Sequence, residues 1–252
     1  MPNRFLREAL EAWVLRDFLS RYKHTEKVQP TMNKAETAKR YILFIISLFF
    51  AALGVAFTKH GELGVSPISS VANVMSLRFS SVSMGTWLII WNCILIIGQI
   101  AILRKSFQLI QLLQVLLSFL FGWFTDFGMW LVSFIPASTY PVRLIMVVVG
   151  VVVLGFGISL AVIADVIMNS GEAFVKAVSD KCKKDFGNVK IVFDILCVVF
   201  SLVLSLIFFD FTIVGAREGT VIAALFTGVV VKLFRSILND PLDRVLHSKS
   251  NS

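Results

Sequence analysis

The sequence predicts an all-α, polytopic membrane protein with about six transmembrane helices, two short helices that do not cross, and an inverted 3+3 repeat. Three observations carry that prediction. Apolar residues are gathered into runs of about 20 residues or more, the length of a helix that crosses a bilayer. Charged residues are only 16% of the chain, whereas a soluble domain carries roughly a quarter. One order of features, namely long run, short run, long run, long run, occurs twice along the chain.

The net charge of +8 does not point to nucleic acid. The lysines and arginines cluster at the ends of the chain and between apolar runs, the pattern of a membrane protein orienting against anionic lipid. Mean hydropathy is +0.82. Cys93, Cys182 and Cys197 have no metal-ligand spacing and the three histidines are scattered, so no metal site and no cofactor are expected.

Residues 1–40 come first and are polar and charged, with nine lysines and arginines. Leu6, Leu10, Val14, Phe18 and Tyr22 recur at every fourth position, with Arg4, Arg7, Arg16, Arg21 and Lys23 on the other side. That spacing predicts a helix lying on the cytoplasmic membrane surface or on the protein's own cytoplasmic face. No cleavable leader is expected, because the first apolar run begins only at Tyr41.

The six expected spans are 41–59, 85–103, 108–134, 143–165, 190–210 and 217–238. They divide the chain into a basic segment 1–40, a first membrane repeat 41–134, a second repeat 143–238 and a tail 239–252. The segment 63–77 is uncharged and too short to cross. Ser66 followed by Pro67 is a favourable helix start, so 66–77 is expected to enter the protein from one side and stop there. Such backbone is tolerated at membrane depth only where protein or a polar cavity satisfies it.

The second half, moved back by 103 residues, superposes Gly54–Ser76 on Gly157–Ser179. Glu62 then meets Asp165, Ser66 meets Asn169 and Pro67 meets Ser170. The offset then drifts: at 102 Gly85–Asn92 falls on Gly187–Asp194, and at 106 Gln111, Gln114 and Gly122 fall on Arg217, Thr220 and Gly228. Three spans per half make the second half enter from the opposite side, the inverted arrangement in which secondary transporters place ligands at interrupted helices.

Leu63-Gly-Val-Ser-Pro67, Gly85-Thr86, Phe107 through Gln111-Leu-Leu-Gln114, Phe121-Gly122 to Asp126, Lys190 to Asp194, and Arg217-Glu-Gly-Thr220 together resemble the YitT/YczE/YyaS-type bacterial integral membrane proteins. The resemblance covers roughly 41–238 and implies a polytopic inner-membrane protein with no settled substrate. Where such proteins often carry an acid, a glycine and a proline early in the second repeat, this chain has Asp165 and then Met168-Asn-Ser-Gly171, without proline.

The substrate-binding candidates are Ser66, Ser69, Ser70 and Asn73 on the first short helix, and Asn169 at the start of the second. Gln111 and Gln114, three apart on one face, and Arg217 and Thr220 at the last span complete the set. A half-helix N-terminus favours an anion, while capping and tight packing, an outer anchor at Arg217, and interhelical hydrogen bonds for the glutamines explain the same residues without a ligand. Ionisable residues at membrane depth usually face protein or water, so Asp126, Glu62, Asp165 and Asp194 are the candidates for proton coupling. No phosphate-binding loop, zinc-protease pair or nucleophile elbow is present, and an enzyme is not expected.

The expected function is secondary transport or export of a small polar or anionic solute. The alternative is a non-transporting scaffold that binds a cytosolic partner. The expected location is the bacterial inner membrane, multi-pass with both termini cytoplasmic. The partners to expect are the lipid bilayer and a small solute, with a homo-oligomer also compatible.

Overall fold

A computed structural model of the chain describes residues 34–215 and 217–246. The expected surface helix in the first 33 residues lies outside them. Every regular element among the described residues is helical. They are α1 (Lys34–His60), α2 (Pro67–Arg78), α3 (Met84–Leu103), α4 (Leu113–Val132), α5 (Tyr140–Ala164), α6 (Ser170–Cys182), α7 (Phe186–Phe208) and α8 (Glu218–Leu246). Two 3-10 turns, Arg104–Ser106 and Leu109–Leu112, join α3 to α4. Six of these helices are long and apolar enough to cross a membrane, and α2 and α6 are the two short ones.

The boundaries differ from the sequence expectation in three places. First, α1 starts at Lys34, ahead of the apolar run. Second, the expected 108–134 span is a 20-residue α-helix preceded by the tighter 3-10 turn, so it is less over-long than its apolar length suggested. Third, α8 runs through Pro241 to Leu246, so much of the expected tail is helix. The other starts follow local chemistry. Ser83 accepts from the Thr86 N–H at the start of α3, and Asp185 accepts from the Asn188 N–H at the start of α7. Pro141 sits in the first turn of α5.

The described residues from Ala38 onward pack as one compact unit. Its middle is α1, whose Phe44, Leu48, Ala52 and Val55 are buried against Ala72 of α2, Met84 and Leu88 of α3, Phe121 of α4, and Leu154 and Ala164 of α5. Lipid tails offer no hydrophobic drive between helices, so close backbone approach has to supply the contact energy. A methyl group on Gly54 would fall 2.4 Å from the Leu154 nitrogen, and one on Gly157 would fall 2.4 Å from the Ala51 nitrogen. Only glycine lets α1 and α5 meet at that distance. The outward side chains are large and apolar, as Ile97, Leu116, Trp123 and Ile207 illustrate.

Polar contacts define two ends of the bundle. At one, Lys39 donates to the Val245 carbonyl (2.9 Å) and Arg40 to the Ala164 carbonyl (3.2 Å), joining the start of α1 to the ends of α8 and α5. At the other, Glu62 pairs with Arg143 at 2.8 Å, and the Gly219 N–H donates to the Leu63 carbonyl at 2.7 Å. There the end of α1 meets the starts of α5 and α8. The long helices therefore alternate in direction. The short helix α2 lies in the connection at the Glu62 end, and α6 in the connection at the Arg40 end. Each packs against a long helix of the other half, α2 on α7 and α6 on α3.

Candidate functional site

The chain after α1 turns at Glu62 and Gly64, both at positive φ (55° and 113°), and runs extended to Ser66 before α2 begins. The Ser70 hydroxyl then lies 3.4 Å from the Cys197 carbonyl, halfway along α7. The start of α2 is therefore deep in the bundle, and its end returns to the surface it came from, where Phe79 stacks edge-on to Phe208. The second half does the same from the opposite end. Asp165 closes α5 in the left-handed conformation, the chain bends at Val166 and reaches an extended Asn169, and α6 starts with Ser170. The two short helices meet start to start: a methyl group on Gly171 would fall 3.0 Å from the Ile68 Cδ1.

This meeting point concentrates two positive helix ends. On the α2 side, Pro67 is at the first helical position as expected, but Ser66 does not cap the backbone. Its hydroxyl donates to Ser69 Oγ at 3.0 Å instead. Ser70 donates to the Pro67 carbonyl at 2.6 Å. Both amide atoms of Asn73 are engaged: its Nδ2 donates to the Gly215 carbonyl (2.7 Å), and its Oδ1 accepts from Lys59 Nζ (2.5 Å), which also donates to Ser76 (3.1 Å). Lys59 is thereby the centre of a part-buried network that joins α1, α2 and the loop before α8.

On the α6 side, Asn169 occupies the N-cap and its Oδ1 accepts from the Ser170 N–H at 2.9 Å. Ser170 Oγ lies 3.1 Å from Ser118 Oγ on α4, and Ser118 donates to the Gln114 carbonyl at 2.7 Å. Gln114 is 3% exposed and its Oε1 has no hydrogen-bond partner. A cavity of about 10 Å³, roughly the space of one water, is lined by Phe44, Leu48, Gln114, Leu117, Met168, Asn169 and Ser170. Gln111 is in the 3-10 turn before α4 rather than on the same α-helical face, and its Oε1 is also without a partner.

The remaining candidates do not converge on the meeting point. Arg217 pairs with its neighbour Glu218 at 3.3 Å on the surface. Thr220 is buried against Gly64, and its Oγ1 has no partner. A cavity of about 330 Å³ beside it, between α7 and α8, is apolar apart from Arg217 and Thr220. Asp126 accepts from Ser83 Oγ (2.6 Å) and the Gly85 N–H (2.8 Å), so it pins the start of α3 to α4. Glu62 is ion-paired to Arg143. Asp165 is a left-handed helix end. Asp194 is ion-paired to Lys190 within α7.

Sequence reasoning missed Ser118, Ser170, Lys59 and Glu172. Glu172 sits in the first turn of α6, where burial raises its carboxyl above the usual range, against a lowering by Lys190 and with a further rise from Asp194. An acid in a helix's first turn reads as a dipole partner. Only the packing of α6 on α7 shows that it shares Lys190 with Asp194.

Residues 38–236 match the profile of a family of unknown function (DUF6198). Over 202 residues the chain is 26% identical to the uncharacterized membrane protein YczE of Bacillus subtilis (strain 168), an alignment covering 79% of this chain and 86% of that protein. The expected resemblance to YczE-type membrane proteins therefore holds. No solved structure matches.

Proposed function

We propose, from the premise that this chain belongs to the DUF6198 family of unknown function, that it is a secondary transporter or exporter of a small polar or anionic solute. The observation that carries this reading is the meeting of α2 and α6, start to start, from opposite ends of the bundle. Two half-length helices aim their positive ends at one place, which disfavours cations there and favours electron-rich groups. Interrupted helices in two inverted halves are how alternating-access carriers build a midplane site. The reciprocal packing of α2 on α7 and α6 on α3 supports reading the halves as an inverted repeat.

In this reading the protein lies in the bacterial cell membrane with both termini cytoplasmic, as the basic 1–40 segment and the lysines of 176–190 suggest. The Arg40 end is then the inner one. Proton coupling falls to Asp194, which sits with Lys190 beside a short helix, rather than to Asp126 and Glu62, which hold structural partners.

The experiment is uptake of radiolabelled small anions and polar metabolites into proteoliposomes, with and without a proton gradient. Accumulation above empty vesicles, abolished by Ile68→Trp at the meeting point, is the expected result. The scaffold alternative draws on the tight packing there, since the cavity admits only about one water. A folded protein that moves no solute but captures a cytosolic protein through residues 1–40 would decide for the scaffold.

A further inference from the structure

The two sides of the meeting point are not equally free to bind. On the α2 side the hydroxyl protons of Ser66 and Ser70 are donated to protein, Ser69 Oγ accepts from Ser66, and both amide atoms of Asn73 have protein partners. Thr220 Oγ1 also lacks a partner, but it lies against Gly64 and beside the apolar cavity between α7 and α8, not at the meeting point. On the α6 side Gln114, whose Oε1 is buried without a partner, lines the small cavity with Asn169 and Ser170. Resting on the transport reading above, we infer that the solute is recognised at the α6 side, by Gln114, Asn169 and Ser170, through an uncharged O–H group: a hydroxyl, or an undissociated carboxyl.

The hydrogen-bond inventory selects that group. Ser118 spends its proton on the Gln114 carbonyl, so the 3.1 Å contact with Ser170 is donated by Ser170. Ser170 Oγ then presents lone pairs, as does Gln114 Oε1, and both call for a donor. In the first turn of α6 the Ser170 N–H is taken by Asn169, and the N–H groups of Gly171 and Glu172, ahead of the helical ladder, call for an acceptor. A sulfate-like or carboxylate anion only accepts and leaves the two oxygens facing charge. An ammonium only donates and meets two positive helix ends. An O–H group does both, and its single oxygen matches a cavity of about 10 Å³.

The test is scintillation-proximity binding of radiolabelled glycolate and ethylene glycol to the purified full chain, with methylammonium and sulfate as comparators. Glycolate and ethylene glycol bind, the comparators do not, and Gln114→Leu weakens binding about tenfold, the loss of one hydrogen bond. Gly228→Ala, whose added methyl meets nothing within 4 Å, binds as the wild type. Gln114→Leu keeps or raises the unfolding temperature, because it removes an unpaired buried amide. Should it not fold, Ser170→Ala carries the same expectation. Preference for methylammonium or sulfate overturns the inference. So does unchanged binding in both Gln114→Leu and Ser170→Ala, which makes the cavity a water site. Loss in Ser69→Ala with normal binding in Gln114→Leu moves recognition to α2 and leaves the transport reading standing. No binding by any probe overturns it as well, and the uptake assay then separates the cases: uptake of another solute keeps the transport reading, and no uptake removes both.

Discussion

At the scale of single residues, the acids divide by what they touch. Asp126 looked like a coupling residue because a carboxylate deep in an apolar run is costly. Its two oxygens are in fact answered by Ser83 and the Gly85 N–H, so it acts as a clamp on the start of α3. Asp126→Ala is expected to lower stability by about 2 kcal/mol, the range for hydrogen bonds to a charged group, and Asp126→Asn by less. Chemical denaturation of the purified protein measures both. Glu172 behaves in the opposite sense. Its folded carboxyl titrates above the usual value of 4.5, so above that value the unfolded chain gives up the proton first and stability falls as pH rises toward the folded value. Glu172→Gln removes this slope. Its unfolding temperature relative to the wild type should rise between pH 4.5 and neutrality, and a gap that is constant with pH would contradict the assignment.

At the scale of elements, the α1–α5 contact has the least tolerance. Gly54 and Gly157 each have backbone of the partner helix within 2.4 Å of where a methyl group would sit. Gly54→Val is expected to cost about 1–3 kcal/mol or more, since backbone cannot retreat as a side chain can. Gly228 has open space and gains helix propensity as alanine, up to about 1 kcal/mol. Unfolding curves of the two variants, side by side, test whether packing or mere helix position sets the cost. The short helices were legible as elements, because Ser66-Pro67 and Asn169 mark their starts. What Ser66 does was not legible: a serine at an N-cap normally takes a backbone N–H, and here Ser69 offers it a nearer partner.

At the scale of the whole molecule, the alternation of six long helices leaves α2 and α6 on opposite sides. Cys182 is exposed at the end of α6, and Ser80 and Thr139 are exposed at the other end of the bundle. Ser80→Cys and Thr139→Cys in a Cys182→Ser background should react with an impermeant thiol reagent on intact cells, and wild-type Cys182 should not. Reaction of Cys182 from outside would reverse the proposed orientation. Reaction at only one of Ser80 and Thr139 would break the alternation itself.

By itself the sequence determined the class of molecule, the number of long helices and the place of the two short ones. Those properties follow from the length of apolar runs and from turn and cap residues, which act over a few neighbouring positions. The tertiary structure alone decided which polar atoms are spent and which are left over. Gln114 and Gln111 looked equivalent because they are the same residue type three positions apart, and Asp126 and Asp194 because each is a carboxylate within an apolar run. What surrounds them differs once the helices pack: Ser83 and Gly85 of another helix hold Asp126, Asp194 takes Lys190 of its own helix, and Gln114 Oε1 is left without a partner beside the start of α6. Whether a buried polar atom is a clamp or a binding group depends on those surroundings, and they exist only once the helices have packed.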